Sequence, residues 1–143
     1  MSKAELDNLV VKVGSLKAEA YEKTEYDGLV RSAQKRLSDA RNDALAPESR
    51  FDLAYNAAHS LALAALRYNG YRPNKNRHVV FLALVHTTDL TQSDVRVLSK
   101  SHDNRNLAEY EGESDVNPKL LTNLINIATK LEAAVLKFQV KRK

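Results

Sequence analysis

An all-α fold, an antiparallel up-and-down bundle of about five to six helices, is what this sequence predicts. Three observations lead there. Glycine and proline are scarce, four and three among 143 residues, whereas Ala, Leu, Lys, Glu and Arg, the strong helix formers, are abundant. Apolar residues recur in steps of three and four. The prolines and most of the glycines fall between the periodic segments, where helices start and stop. With 43% hydrophobic residues the chain carries enough apolar material to close one core. It is therefore read as a single domain, 1–143, with a core over 24–138, a short N-terminal helix over 2–13 and a basic tail over 139–143.

Leu6, Leu9, Val10 and Val13 set the first short helix, which loosens near Gly14. A second begins near Thr24 to Asp27, places Val30, Ala33, Leu37, Ala40 and Ala44 on one stripe, and ends before Pro47. Pro47 and Glu48 suit a first helical turn, since proline there loses no intrahelical hydrogen bond and the acid faces the positive end of the helix dipole. The segment after them, FDLAYNAAHSLALAALRYNGYRP, carries alanine and leucine on more than one face and is read as the central helix, stopped by Gly70 and Pro73. The run HVVFLALVHT has strand-like composition, but with no second strand to pair with it is expected to be helical. Thr91 and Asp94 are spaced as a capping box for a helix through Val95, Leu98 and Ala108 that ends at Gly112. Asn117 and Pro118 read as an N-cap and first-turn proline. Beyond them Leu121, Leu124, Ala128, Leu131, Val135 and Phe138 repeat as the a and d positions of a heptad, a seam that wants a long partner helix.

Composition excludes several classes of function. The chain has no cysteine, so disulfides and thiolate zinc sites are ruled out. No Glu has a His three residues later, as helical di-iron sites require. There is no Gly-rich phosphate loop, no His-Glu-x-x-His and no Gly-x-Ser-x-Gly elbow, and no cofactor or metal is expected. No segment approaches a membrane span and the N-terminus lacks a signal-like apolar run, so a cytoplasmic protein is expected. The net charge of +4 is mild and interspersed, compatible with RNA without arguing for it. Of the four histidines, His59, His78 and His86 lie in or beside apolar segments and are read as structural.

The stretch SHDNRNLAEYEGE, residues 101–113, holds the most suggestive chemistry. His102 precedes Arg105 by one helical turn and shares its face. Two other pairs, Arg72 with His78 and Arg96 with His102, are six residues apart, which on one helix turns side chains about 240° from each other. They are read as chance spacings. As an ordinary helix end, the stretch would pair Arg105 with Glu109 and rest the Tyr110 ring on the bundle rim.

The segments AYNAAHSLALAALRYNGYRP, NRHVVFLALVHT and RNLAEYEG leading into LLTNLINIATKLEAAVLKF resemble the HEPN domains, small helical bundles of prokaryotes; the likeness runs from about Phe51 to Phe138. The resemblance implies two-fold dimers, often paired with a minimal nucleotidyltransferase in two-component, commonly toxin–antitoxin, modules. Active members cut RNA with an Arg-polar pair followed a turn or more later by a histidine. Here Arg105 takes the arginine place and Asn106 the polar place, but Tyr110 or Glu111 occupies the histidine place. A tyrosine titrates near ~10 and suits acid–base work at neutral pH poorly. RNLAEY is closer to the branches with Arg-x-x-Ala-Asp-Tyr, so the resemblance implies a non-catalytic interaction subunit, with Arg105 and Tyr110 as contact residues in a homodimer or in a heteromer with a nucleotidyltransferase. The alternatives are a metal-independent ribonuclease toxin, in which Arg105, His102 and Asn106 would be catalytic, and a helical scaffold unrelated to RNA.

Overall fold

The computed structural model describes residues 16–74, 79–111 and 117–141, the side chains of 105–111 and 140–141 excepted. Its elements are β1 (Leu16–Ala18), α1 (Lys23–Ala40), α2 (Pro47–Tyr68), β2 (Tyr71–Pro73), α3 (Val79–Leu82), α4 (Leu84–Thr87), α5 (Gln92–Glu111) and α6 (Pro118–Lys141). The fold is the all-α bundle the periodicity predicts, with one small two-stranded ribbon added. The helix expected over 2–13 lies outside the described residues.

Helix α2 is the axis of the bundle. Pro47 opens it and Glu48 sits in its first turn, as the sequence suggests. Ala54, Ala57, Ala58, Ala62, Ala64 and Ala65 are all fully buried. Their small side chains let neighbours approach on several sides at once: α1 and α6 most extensively, and β2 and α3 to α5 elsewhere. The helix stops where glycine permits. Asn69 caps it, and Gly70 follows at φ 88°, a left-handed backbone that a side chain would strain.

On α1 the stripe Val30, Ala33, Leu37 and Ala40 is buried, joined by Tyr26. Ala44 departs from the expected stripe and is exposed, because the helix ends a turn sooner. Arg50 takes the Ala40 carbonyl through its Nε at 2.8 Å, and the Asn42 carboxamide accepts the Ala44 N–H at 3.0 Å. Together these fold the chain into a polar turn before Pro47. The apolar run after residue 78 is helical, but as two four-residue pieces around Ala83. Val79, Val80, Phe81, Ala83, Leu84 and Thr87 are buried, while Leu82 is exposed.

Both predicted caps are present. Asp94 Oδ2 accepts the Thr91 N–H at 3.0 Å while Thr91 Oγ1 accepts the Asp94 N–H at 3.2 Å, a reciprocal capping box at the start of α5. Asn117 Oδ1 accepts the Lys119 and Leu120 N–H groups at 2.8 and 3.4 Å at the start of α6. In α6, Leu121, Leu124, Ala128, Leu131 and Val135 are buried, and half-buried Phe138 stacks on Tyr68 with ring centroids 4.3 Å apart. The heptad seam is thus internal: its partners are α2, α1 and α5 of the same chain. The helix continues through Lys141, into the stretch expected to be tail.

The ribbon was not expected from the sequence. β1 pairs antiparallel with β2, Leu16 opposite Pro73, Lys17 opposite Arg72 and Ala18 opposite Tyr71. Neither strand has a period long enough to read, and Pro73 is tolerated because a two-stranded ribbon consists of edges. Among the described residues no helix is long and apolar enough to cross a membrane.

Candidate functional site

Helix α5 presents chemistry on two sides. On its inner side His102, half-buried, places Nδ1 2.7 Å from the hydroxyl of Tyr55 on α2. Tyr55 is itself buried and packs edge-to-face against Phe81 of α3, with centroids 5.8 Å apart. His59, one turn along α2, meets the same Phe81 ring at 5.7 Å and 90°. Three helices therefore share an aromatic cluster that fixes the orientation of the His102 ring. The phenol is a neutral partner. It orients an imidazole, but unlike a carboxylate it supplies no charge to stabilise an imidazolium.

On its outer side α5 forms one wall of a groove of about 550 Å³ whose other wall is the start of α6. Among the described residues Arg96, Lys100 and Lys119 supply three cations to its lining, and Asp103 one acid. None of these four forms an ion pair among the described residues. Asn104 and Asn123 add carboxamides, and Val97 and Leu120 give a half-buried apolar floor. The register of α5 explains the alignment, since positions 96, 100, 103 and 104 fall on one helix face. The α6 N-terminus adds little to this positive field. Its first amide groups already donate to Asn117. Asp94, one turn before the groove, is also engaged, through Lys130 at 2.6 Å. Burial alone would raise its carboxyl, but the hydrogen bonds from Lys130 and Thr91 outweigh burial and hold it below the usual range.

A third polar constellation is structural. Arg67 on α2 is 1% exposed. Its guanidinium donates to Glu25 at 2.8 Å and to the carbonyls of Glu19, Ala20 and Tyr71 at 2.8, 2.6 and 3.2 Å. Arg72 on β2 donates to Glu19 at 2.7 Å and to Glu25 at 2.6 Å. Two arginines and two glutamates thus clamp the ribbon and the segment after it to α1 and α2. Burial pushes the Glu25 carboxyl up, but the hydrogen bonds and charges of Arg67 and Arg72 pull it further down, leaving it lowered.

Of the residues singled out in the sequence, His102 is brought to Tyr55, a partner that spacing along the chain does not reveal. The i,i+4 relation of Tyr55 and His59 shows that they share a face of α2, but not that α5 crosses it. Arg96 turns toward the groove while His102 turns toward α2, as the angular argument expects. Arg72 belongs to the ribbon clamp. Arg105, Asn106, Tyr110 and Glu111 lie on the helical backbone of α5 with their side chains outside the described residues, and His78 is outside them altogether. In the sequence the groove cations do not stand out, because charges there are evenly scattered; the i,i+4 spacing of Arg96 and Lys100 is the one local signal. Among the described residues no three His, Asp or Glu side chains gather as a metal site. Compared with known proteins, the chain matches no family model and no curated protein sequence.

Proposed function

We propose that this chain is a non-catalytic interaction subunit of a cytoplasmic two-component module, as its resemblance to HEPN domains implies, and that it holds an acidic surface of its partner in the α5–α6 groove. The observation that supports this reading is the trio Arg96, Lys100 and Lys119 around an apolar floor, none of them in an ion pair among the described residues. Charges so placed steer an acidic partner and set its register, while Val97 and Leu120 supply area to bury. The implied partner is a minimal nucleotidyltransferase encoded beside it, or a second copy of the chain. Arg105 and Tyr110, further along the backbone of α5, are the other contact residues that the resemblance implies.

The test is co-expression with that neighbouring nucleotidyltransferase and measurement of affinity for the combined Arg96→Glu, Lys100→Glu and Lys119→Glu variant. A loss of at least about tenfold, roughly 1.4 kcal/mol, is expected. Unchanged affinity overturns the reading, as does the absence of any such neighbouring frame together with sedimentation that shows only monomer.

A ribonuclease is the second reading, because the Tyr55–His102 hydrogen bond orients an imidazole as an acid–base group requires. In it Arg105 would stabilise charge on the scissile phosphate, His102 would exchange the proton and Asn106 would orient one of them. Incubation with a mixed RNA pool decides between the two. Cleavage abolished by both His102→Ala and Arg105→Ala, together with growth arrest on induced expression, would establish the nuclease; the interaction subunit gives neither.

A further inference from the structure

Away from the α5–α6 groove, a second concavity of about 450 Å³ opens between the C-terminal end of α2, the end of α4 and the last turns of α6. That size suits a small organic ligand. Its apolar wall is Tyr68, Ala134 and Phe138, with the two rings stacked 4.3 Å apart at 11°. Ala134, Lys137 and Phe138 come from one face of α6, at i, i+3 and i+4.

The polar lining is divided by chemistry. On the α2 and α4 side Asn69, Thr87 and Thr88 each donate a hydrogen back to a carbonyl of their own helix. Asn69 donates its amide to the Ala65 carbonyl at 2.7 Å, which leaves Oδ1 as an acceptor. Thr87 donates to Ala83 at 3.3 Å, and Thr88 to Leu84 at 2.7 Å. Asp89 adds a negative charge. This wall accepts hydrogen bonds and favours a cation. The wall from α6 carries Lys137, the one cation in the lining among the described residues. Asp89 and Lys137 are both exposed, and among the described residues neither forms an ion pair, with each other or with any other group.

We propose that this pocket binds a small zwitterion, an α-amino acid with an apolar side chain. Its ammonium sits against Asp89 and the acceptors of Asn69 and Thr87, its carboxylate against Lys137, and its side chain on the Tyr68–Phe138 wall. A ligand carrying one charge satisfies only one wall and leaves the other charge to water. Discrimination follows from that division: both charges are needed for full affinity.

The probe is L-phenylalanine, titrated into the ¹⁵N-labelled full chain and followed by amide chemical shifts, beside phenethylamine, which lacks the carboxylate, and 3-phenylpropionate, which lacks the ammonium. Saturable shifts at Asn69, Thr87 and Thr88 are expected with L-phenylalanine, and binding at least about tenfold weaker for each analogue. Lys137→Met should erase the advantage over phenethylamine, and Asp89→Asn the advantage over 3-phenylpropionate. Both positions are exposed, so unchanged shifts elsewhere will show that the variants keep the fold. Absence of saturable shifts with both L-phenylalanine and L-leucine at about 10 mM, tenfold above a millimolar dissociation constant, overturns the proposal. So does equal affinity for the three phenyl compounds.

Discussion

Arg67 carries the largest single-residue stake in stability. One guanidinium satisfies three main-chain carbonyls and shares the Glu25 carboxylate with Arg72. Removing one partner of such a buried set leaves the others unsatisfied, so Arg67→Ala is expected to cost about 3–5 kcal/mol in urea denaturation at neutral pH. The same network sets an acid limit. Glu25 is held below its ordinary value of 4.5 in the folded chain, so its contribution is complete above that pH and is lost as pH falls below it. Stability of the native chain should decline on that acid limb, and the decline should be shallower in Arg67→Ala. A limb of unchanged slope would show that Glu25 is not what Arg67 stabilises. Nothing in LRYNGYRP distinguishes Arg67 from the chain's other 21 cations. Its burial exists only because β1 and the segment after it fold over the end of α2.

At the scale of elements, the helix starts are the most legible features because they depend on neighbours in sequence. A cap joins residues two or three apart, and Thr91 with Asp94 and Asn117 with Lys119 make the bonds their spacing implies. Asn117→Ala should destabilise by about 1 kcal/mol, and Asn117→Asp by much less, since aspartate accepts the same N–H groups. Equal losses in thermal or urea unfolding would remove the cap from the account. Helix ends proved harder. α1 stops at Ala40 because Arg50, ten residues on, takes its last carbonyl, so the apolar step to Ala44 has no helix to continue. The HVVFLALVHT run likewise breaks at Ala83 to fit both halves into the core.

For the whole molecule, the decisive finding is the direction of the α6 seam. Sequence periodicity says that Leu121 to Phe138 must cover an apolar partner, and a two-fold dimer would meet that need. The structure meets it within one chain, through α2. Seam substitutions should therefore act on folding. Leu131→Ala, at a fully buried position, is expected to cost about 2–5 kcal/mol. Its sedimentation at a concentration where the chain remains folded should match that of the native chain. A shift from dimer to monomer without loss of stability would place the seam at an interface instead.

The sequence by itself determined the helical class, the central position of α2, the caps of α5 and α6 and the faces of α1 and α6 that are buried, because each follows from local periodicity or from contacts a few residues apart. Tertiary structure alone decided which chain covers the α6 seam, that residues 16–18 pair with 71–73, that Arg67 is buried, and that His102 meets Tyr55 across 47 positions. It also gathered Arg96, Lys100 and Lys119 into one groove, and Asp89 and Lys137 into the lining of another. A period fixes the angle at which a side chain leaves its helix. What it meets depends on how helices far apart in sequence cross, and that is set by packing the whole core at once.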